Sequence, residues 1–341
     1  MSSGRPPSED RLTSVADLLK RTDDSLRRGV APGAAVVPSG FALLDDVLSG
    51  GFRSGELVLL GGPQGLGKTT MVMQMVRNVV ARGGHAVLFS YEHEAQGLFE
   101  RLLSLEASLA VGPHAARLQS IRRLFESSNG AGPQSLDQRL LGLRGVGEGL
   151  DRVRRYAHRL HLHESSGTET DLDEIARTVA GVQATASTPP LVVVDYLQKV
   201  PVLNGPPTEE ERVTIIVERL KDITLELGVP LLAIVAADKA SLVAGKRMRI
   251  HDLRGSSALA YEADVVLILN DKYDVVARHH LVYDLGNAER YRSWVVMTVE
   301  KNRHGIDKVE LEFEKHFAEG RYDPTGRYVV EQLIEERVFT E

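Results

Sequence analysis

The run Gly62-Pro63-Gln64-Gly65-Leu66-Gly67-Lys68-Thr69 fits the spacing G-x-x-x-x-G-K-[ST] in full. Glycines at these positions let a backbone curl until successive N–H groups face one anion. Lys68 would place a full positive charge on β and γ phosphates. The Thr69 hydroxyl, with Thr70 behind it, would hold Mg²⁺. The chemistry this set supports is binding of ATP. A metal site on a phosphate loop needs a carboxylate, and Leu191-Val192-Val193-Val194-Asp195 delivers Asp195 at the end of an apolar run. Ligands of open α/β sheets bind beyond the carboxyl ends of the strands. Hydrolysis further needs a group that orients or deprotonates water. Glu92 follows the apolar run His85–Ser90, and in one large ATPase group the catalytic glutamate ends a strand next to the loop strand. Glu94 is its rival two residues on.

These groups need a scaffold, and the apolar pattern supplies one. Glu56–Leu60 is a strand, the glycine run a loop, and Thr69 onward a helix that stops at Gly83-Gly84, as a C-cap would. Further strands are expected at 159–163, 191–195, 230–236, 264–269, 293–299 and 309–313. A helix carries Val213, Ile216, Val217, Leu220, Ile223 and Leu227 on one stripe. Near-continuously apolar strands alternating with helices predict an α/β fold with a mainly parallel, doubly covered sheet. Residues 112–149, richer in Gly, Ser and Arg, are expected to form a helical excursion.

Composition narrows the classes. The 341 residues contain no cysteine, which excludes disulfides and thiolate metal sites, and a cytoplasmic protein is the simplest reading. No apolar run approaches the roughly 18 residues of a membrane span. The formal charge of -6 excludes coating nucleic acid through bulk charge, so any contact needs a local basic patch. His158, His161 and His163 cluster, but no carboxylate partner completes a metal pattern, and they are read as structural or surface groups. Residues 1–11 are read as a disordered tail. Leu12, Val15, Leu18, Leu19 and Leu26 then recur at helical spacing, so 12–36 is read as an amphipathic helix and a linker.

Several further blocks resemble the ATPase domain of DnaB-type replicative helicases, in the RecA-like group. They are Pro38-Ser39-Gly40-Phe41, Leu44-Asp45, Gly50-Gly51, Gly55-Glu56-Leu57, Phe89-Ser90-Tyr91-Glu92 and Asp195-Tyr196-Leu197-Gln198. Val229-Pro230, Asp252-Leu253-Arg254, Ala263-Asp264-Val265 and Lys301-Asn302-Arg303-His304-Gly305 continue the series in order. The resemblance spans about residues 37–315. It implies a RecA-like domain over 37–320, a C-terminal extension over 321–341, and no counterpart of the primase-binding N-terminal domain. It also implies a homo-oligomer, a six-membered ring with ATP and Mg²⁺ between neighbours. Lys301 and Arg303 match basic residues that reach an adjacent subunit's site, and the first helix matches a linker helix that docks on a neighbour. Arg254, Ser256 and Ser257 match a loop that contacts single-stranded DNA.

Residues 238–254 carry Lys239, Lys246, Arg247, Arg249 and Arg254 against only Asp238 and Asp252. Such a basic loop suits backbone phosphates, which carry no sequence information. Ile234-Val235-Ala236-Ala237 stands where the family usually has a glutamine that relays nucleotide state to DNA. The leading expectation is an ATP-driven translocase on single-stranded DNA. Its rivals are a helicase-derived ATPase acting on a protein partner or serving as a scaffold, and a nucleotide-gated binding module.

Overall fold

The computed structural model describes residues 12–126, 132–238, 245–255, 257–282 and 285–335. The tail read at 1–11, together with Lys239 and Ser256, lies outside the described residues, and so do positions 336–341. The chain divides into two compact units, Met1–Ala35 and Val36–Glu341.

In the first unit, helix α1 spans Val15–Arg27. Ser14 caps it by accepting from the Asp17 N–H at 3.1 Å, and Arg27 pairs with Asp23 at 2.6 Å. Its Leu and Val stripe is exposed: Val15, Leu18, Leu19 and Leu26 are all more than half accessible.

In the second unit, β1 (Val36–Val37) and β2 (Phe52–Arg53) form a small antiparallel pair around helix α2 (Ala42–Val47). Among the described residues the main sheet holds ten strands. Its parallel core comprises β3 (Leu57–Gly61), β4 (Ala86–Ser90), β5 (Leu160–Glu164), β6 (Leu191–Asp195), β7 (Leu231–Ile234) and β8 (Val265–Asp271). The spatial order is β8-β3-β7-β6-β4-β5. An antiparallel wing of β9 (Trp294–Asn302), β10 (Val309–His316), β11 (Arg321–Tyr322) and β12 (Arg327–Tyr328) extends from β8. β3, β4 and β6 are buried at every position, the mark of a sheet covered on both faces. The segment after residue 320, expected as an extension, instead adds β11 and β12 to this sheet by pairing with β10.

Helices cover the faces. α3 (Lys68–Ala81) follows the phosphate loop and α4 (Ala95–Val111) follows β4. The excursion contains α5 (Leu118–Glu126), α6 (Leu136–Leu140) and α7 (Val146–Tyr156). α8 (Leu172–Gln183) and α9 (Glu209–Leu227) cover the other face. Local chemistry sets the limits of α9. Thr208 accepts from the Glu211 N–H, three glutamates favour the positive end of the helix, and Gly228 ends it in the left-handed region at φ 63°. Among the described residues, no helix is long and apolar enough to cross a membrane.

Candidate active site

The loop between β3 and α3 begins the site. Gly67 precedes α3 at φ 72°, and a Cβ there would stand 2.7 Å from the Phe317 ring. Gly62 has φ 150°, and a Cβ there would stand 2.8 Å from the Leu269 carbonyl oxygen. Glycine at these two places is therefore a backbone requirement. The Lys68 ammonium donates to the Gly62 and Pro63 carbonyls at 2.7 and 2.9 Å, so the loop closes on its own cation. Burial pushes Lys68 below its ordinary pKa, while Asp195 and Glu92 pull it back up.

Asp195 arrives from the end of β6, and the Thr69 hydroxyl donates to it at 2.7 Å. Burial raises the Asp195 carboxyl to about 6 against the pull of that hydrogen bond, with Glu92 raising it further. A hydroxyl and a carboxylate in contact form a hard oxygen donor pair that suits Mg²⁺. A cleft of about 680 Å³ joins Gly62, Gln64, Gly65, Lys68, Thr69, Glu92 and Asp195. Glu94 is not part of its wall; it caps α4 through its backbone.

β4 was expected beside the loop strand. It is the third strand from β3, because β7 and β6 intervene, and it pairs with β6. Ser90 stands opposite Asp195 in that register, so Glu92 is delivered from the strand that pairs with the Asp195 strand rather than from one beside the loop strand.

Two cleft residues, and the role of one residue beside the cleft, escaped sequence reasoning. Arg101 on α4 lines the cleft, burial lowers its pKa, and its buried Nε has no hydrogen-bond partner. Its position nine residues after Glu92, on a helix leaving the same strand, was the available signal. Phe317 lines the cleft from the turn between β10 and β11. That turn is tied to the loop: the Tyr322 hydroxyl donates to the Leu66 carbonyl, and Gln74 exchanges two hydrogen bonds with the Tyr322 backbone. The third is Gln198. Its amide oxygen accepts from the Ala236 N–H at 3.1 Å and its NH₂ donates to the Arg254 carbonyl at 2.7 Å. A polar link therefore exists beside Ile234-Val235-Ala236-Ala237, supplied by the segment after Asp195.

Lys301 and Arg303 do not line this chain's cleft. Lys301 donates to the Ala260 and Tyr261 carbonyls at 2.8 and 3.2 Å, and Arg303 to the Tyr261 carbonyl. Arg303 also lies 3.4 Å from Asp264, which is shared with Lys221.

The basic loop differs from its expectation. Arg247 is only 4% exposed and is engaged by Glu310 and Thr298, so it is withdrawn as a phosphate contact; freeing it would strand Glu310. Arg249 is held by Glu300 and Glu335, Lys246 by Asp252 at 3.0 Å, and Arg254 by Glu209 at 2.7 Å. Arg254 also lines the nucleotide cleft, and Ser257 is exposed just before the helix Ala258–Glu262.

The parallel core, the loop and the Thr69–Asp195 pair define a RecA-like P-loop ATPase. The model of the DnaB-like helicase C-terminal domain matches residues 36–321, and the chain belongs to that family. It is 26% identical over 284 residues to the replicative DNA helicase DnaB of Treponema pallidum (strain Nichols). That alignment covers 82% of this chain but 55% of the relative, so the chain spans about half the length of that protein. The solved ATPase domain of G40P superposes with a TM-score of 0.68 at 18% identity, covering 91% of this chain and 98% of that one. A DnaB-like replicative helicase, solved in a study of its interactions with primase, gives 0.69 at 17% identity, covering 92% and 69%. At these identities the two structures speak for the fold.

Proposed function

We propose that this chain hydrolyses ATP with Mg²⁺ at the interfaces of a homo-oligomeric ring and uses the cycle to move along single-stranded DNA. The observation that carries the reading is one cleft holding Lys68, the Thr69–Asp195 pair and Glu92. Lys68 exchanges the Gly62 and Pro63 carbonyls for β and γ phosphate oxygens. Thr69 and Asp195 would hold Mg²⁺, which supplies charge neutralisation on the phosphates when bound. Glu92 orients water and accepts its proton. Arg101, with no partner for its Nε, offers a further cation to the same space. Lys301 and Arg303, outside their own cleft, serve a neighbour's nucleotide, where charge developing on transferred oxygens needs cations supplied in trans. The apolar stripe of α1 docks on a neighbouring subunit.

A helicase-derived ATPase acting on a protein partner is the second reading. It is favoured by the pairing of Lys246, Arg247, Arg249 and Arg254 with acids of the chain itself. The deciding experiment is the ATPase rate with and without single-stranded DNA, run beside a mass measurement of the assembly. A ring that binds single strands at low salt in the presence of ATP supports translocation. An assembled, hydrolysing ring without such binding overturns it in favour of the protein-directed reading.

A further inference from the structure

A second cavity, of about 280 Å³, is lined by Arg77, Ala81, Arg152, Arg155, Tyr156 and Arg159. It shares no residue with the nucleotide cleft and gathers at the C-terminal ends of α3 and α7. Its charge balance is unusual for a chain of net -6. The acid nearest these guanidinium groups is Glu106, fully buried and already occupied. Arg77 reaches its two oxygens at 2.5 and 3.0 Å, and the Tyr156 hydroxyl donates to it at 2.7 Å. Arg77 is thus a structural cation whose charge is spent.

The other three are not neutralised. Arg152 approaches Glu106 only to 3.9 Å. Arg159 gives one contact from each guanidinium nitrogen, to the Val80 and Arg155 carbonyls and to His158, which leaves two N–H groups and its charge uncompensated. The Arg155 guanidinium meets no carboxylate and no hydrogen-bond acceptor among the described residues. Helix C-termini contribute only about half a negative charge each, less than three uncompensated cations require. Lone surface arginines are commonplace. Three converging on one cavity, beside Tyr156 and an Arg77 whose acid is already saturated, form an anion receptor. Guanidinium forks match oxyanions in pairs of parallel hydrogen bonds. A phosphoryl group offers three or more oxygens, enough for forks that arrive from α7 and the turn after it.

We infer that this cavity binds a phosphoryl oxyanion through Arg152, Arg155 and Arg159, at a site separate from the ATP cleft. Two sources carry that chemistry, a free polyphosphate anion and the backbone of a nucleic acid strand.

The test uses the full chain carrying Lys68→Ala, which silences the phosphate loop. Inorganic pyrophosphate is titrated by calorimetry at low salt. Saturable binding is expected to persist in Lys68→Ala and to weaken roughly tenfold or more when Arg152→Gln and Arg155→Gln are added, since each removes charge-assisted hydrogen bonds. Replacing the same two arginines by lysine keeps charge but loses the fork, and intermediate binding is expected. Both sets change exposed or half-exposed side chains, and a melting curve matching that of Lys68→Ala establishes that each variant is folded. Displacement of pyrophosphate by oligo(dT) identifies the strand backbone as the source; unchanged pyrophosphate binding in its presence identifies the free anion. Absence of saturable binding in Lys68→Ala, or binding that the glutamine pair leaves intact, overturns the inference.

Discussion

The nucleotide cleft and the loop at 245–254 are both rich in charge, and they use it in opposite ways. In the cleft, groups face a shared space with capacity to spare. Lys68 rests on backbone carbonyls, Asp195 is buried against a hydroxyl, and the Arg101 Nε has no partner. In the loop, every described cation already has an acid: Asp252, Glu310, Glu300 with Glu335, and Glu209. Charge held ready for a ligand is left under-satisfied, and charge that holds the chain together is saturated. A sequence tally of five cations against two acids could not separate the two cases, because four of those acids lie 45 to 86 residues away.

The largest expected effects fall in the cleft. Lys68→Ala removes the main cation facing the β and γ phosphates, and nucleotide binding, read by a fluorescent ATP analogue, should be lost. Glu92→Gln should keep that binding while turnover falls roughly 10²-fold or more, the scale of a lost general base. Glu94→Gln, outside the cleft wall, should turn over normally. A normal Glu92→Gln enzyme would remove Glu92 from the chemistry and break the contrast on the cleft side.

Next comes stability within the loop. Arg247→Ala leaves Glu310 and Thr298 without their buried partner and should cost about 3 kcal/mol in denaturant unfolding. Arg254→Ala breaks a pair whose members are 40% and 37% exposed and should cost under about 1 kcal/mol. Equal costs would mean that burial does not separate latch from ligand contact.

The parallel core was legible because each of its signals is local. An apolar run, a glycine loop and a helix stop lie within a few residues of one another, and every expected core strand is present within a few residues of its expected bounds. The phosphate loop was legible for the same reason. Strand order was not, since the placement of β4 beside β6 depends on crossovers that leave no local mark. Arg101 was missed, and Gln198 stood in a resembling block without a role, because their significance lies in what they meet: the cleft for one, and two backbone groups 38 and 56 residues away for the other.

Acidity sharpens the cleft side further. The Asp195 carboxyl stands at about 6 in the folded chain against 3.8 ordinarily. A carboxyl raised on folding binds its proton more tightly in the native state, so its stabilising contribution is present below pH 3.8 and is lost as pH rises towards about 6. Turnover should run the other way. The ionised form is needed to hold a cation, so Mg²⁺-dependent hydrolysis should fall as pH drops through about 6, and added Mg²⁺ should move that midpoint downward. Asp195→Asn should remove the stability trend without unfolding the chain, as followed by melting temperature against pH.

The smallest effect lies in the loop cations that a phosphate could still reach. Lys246 and Arg254 are the more exposed of the four, at 33% and 40%, and Glu209, the acid that holds Arg254, is itself more exposed than Glu310. If single-stranded DNA binds there, each cation releases counterions from the strand, and log affinity falls against log salt by about 0.7 per phosphate contact. Lys246→Gln and Arg254→Gln should then each flatten the slope by about that amount, uniformly across base sequences, because phosphates carry no sequence information. Glu209→Gln should act in the opposite direction by freeing Arg254, and binding should tighten at low salt. A loop whose cations are merely structural would show no slope change in either variant and no gain from releasing Arg254, whereas a loop held closed by its own acids must respond to both.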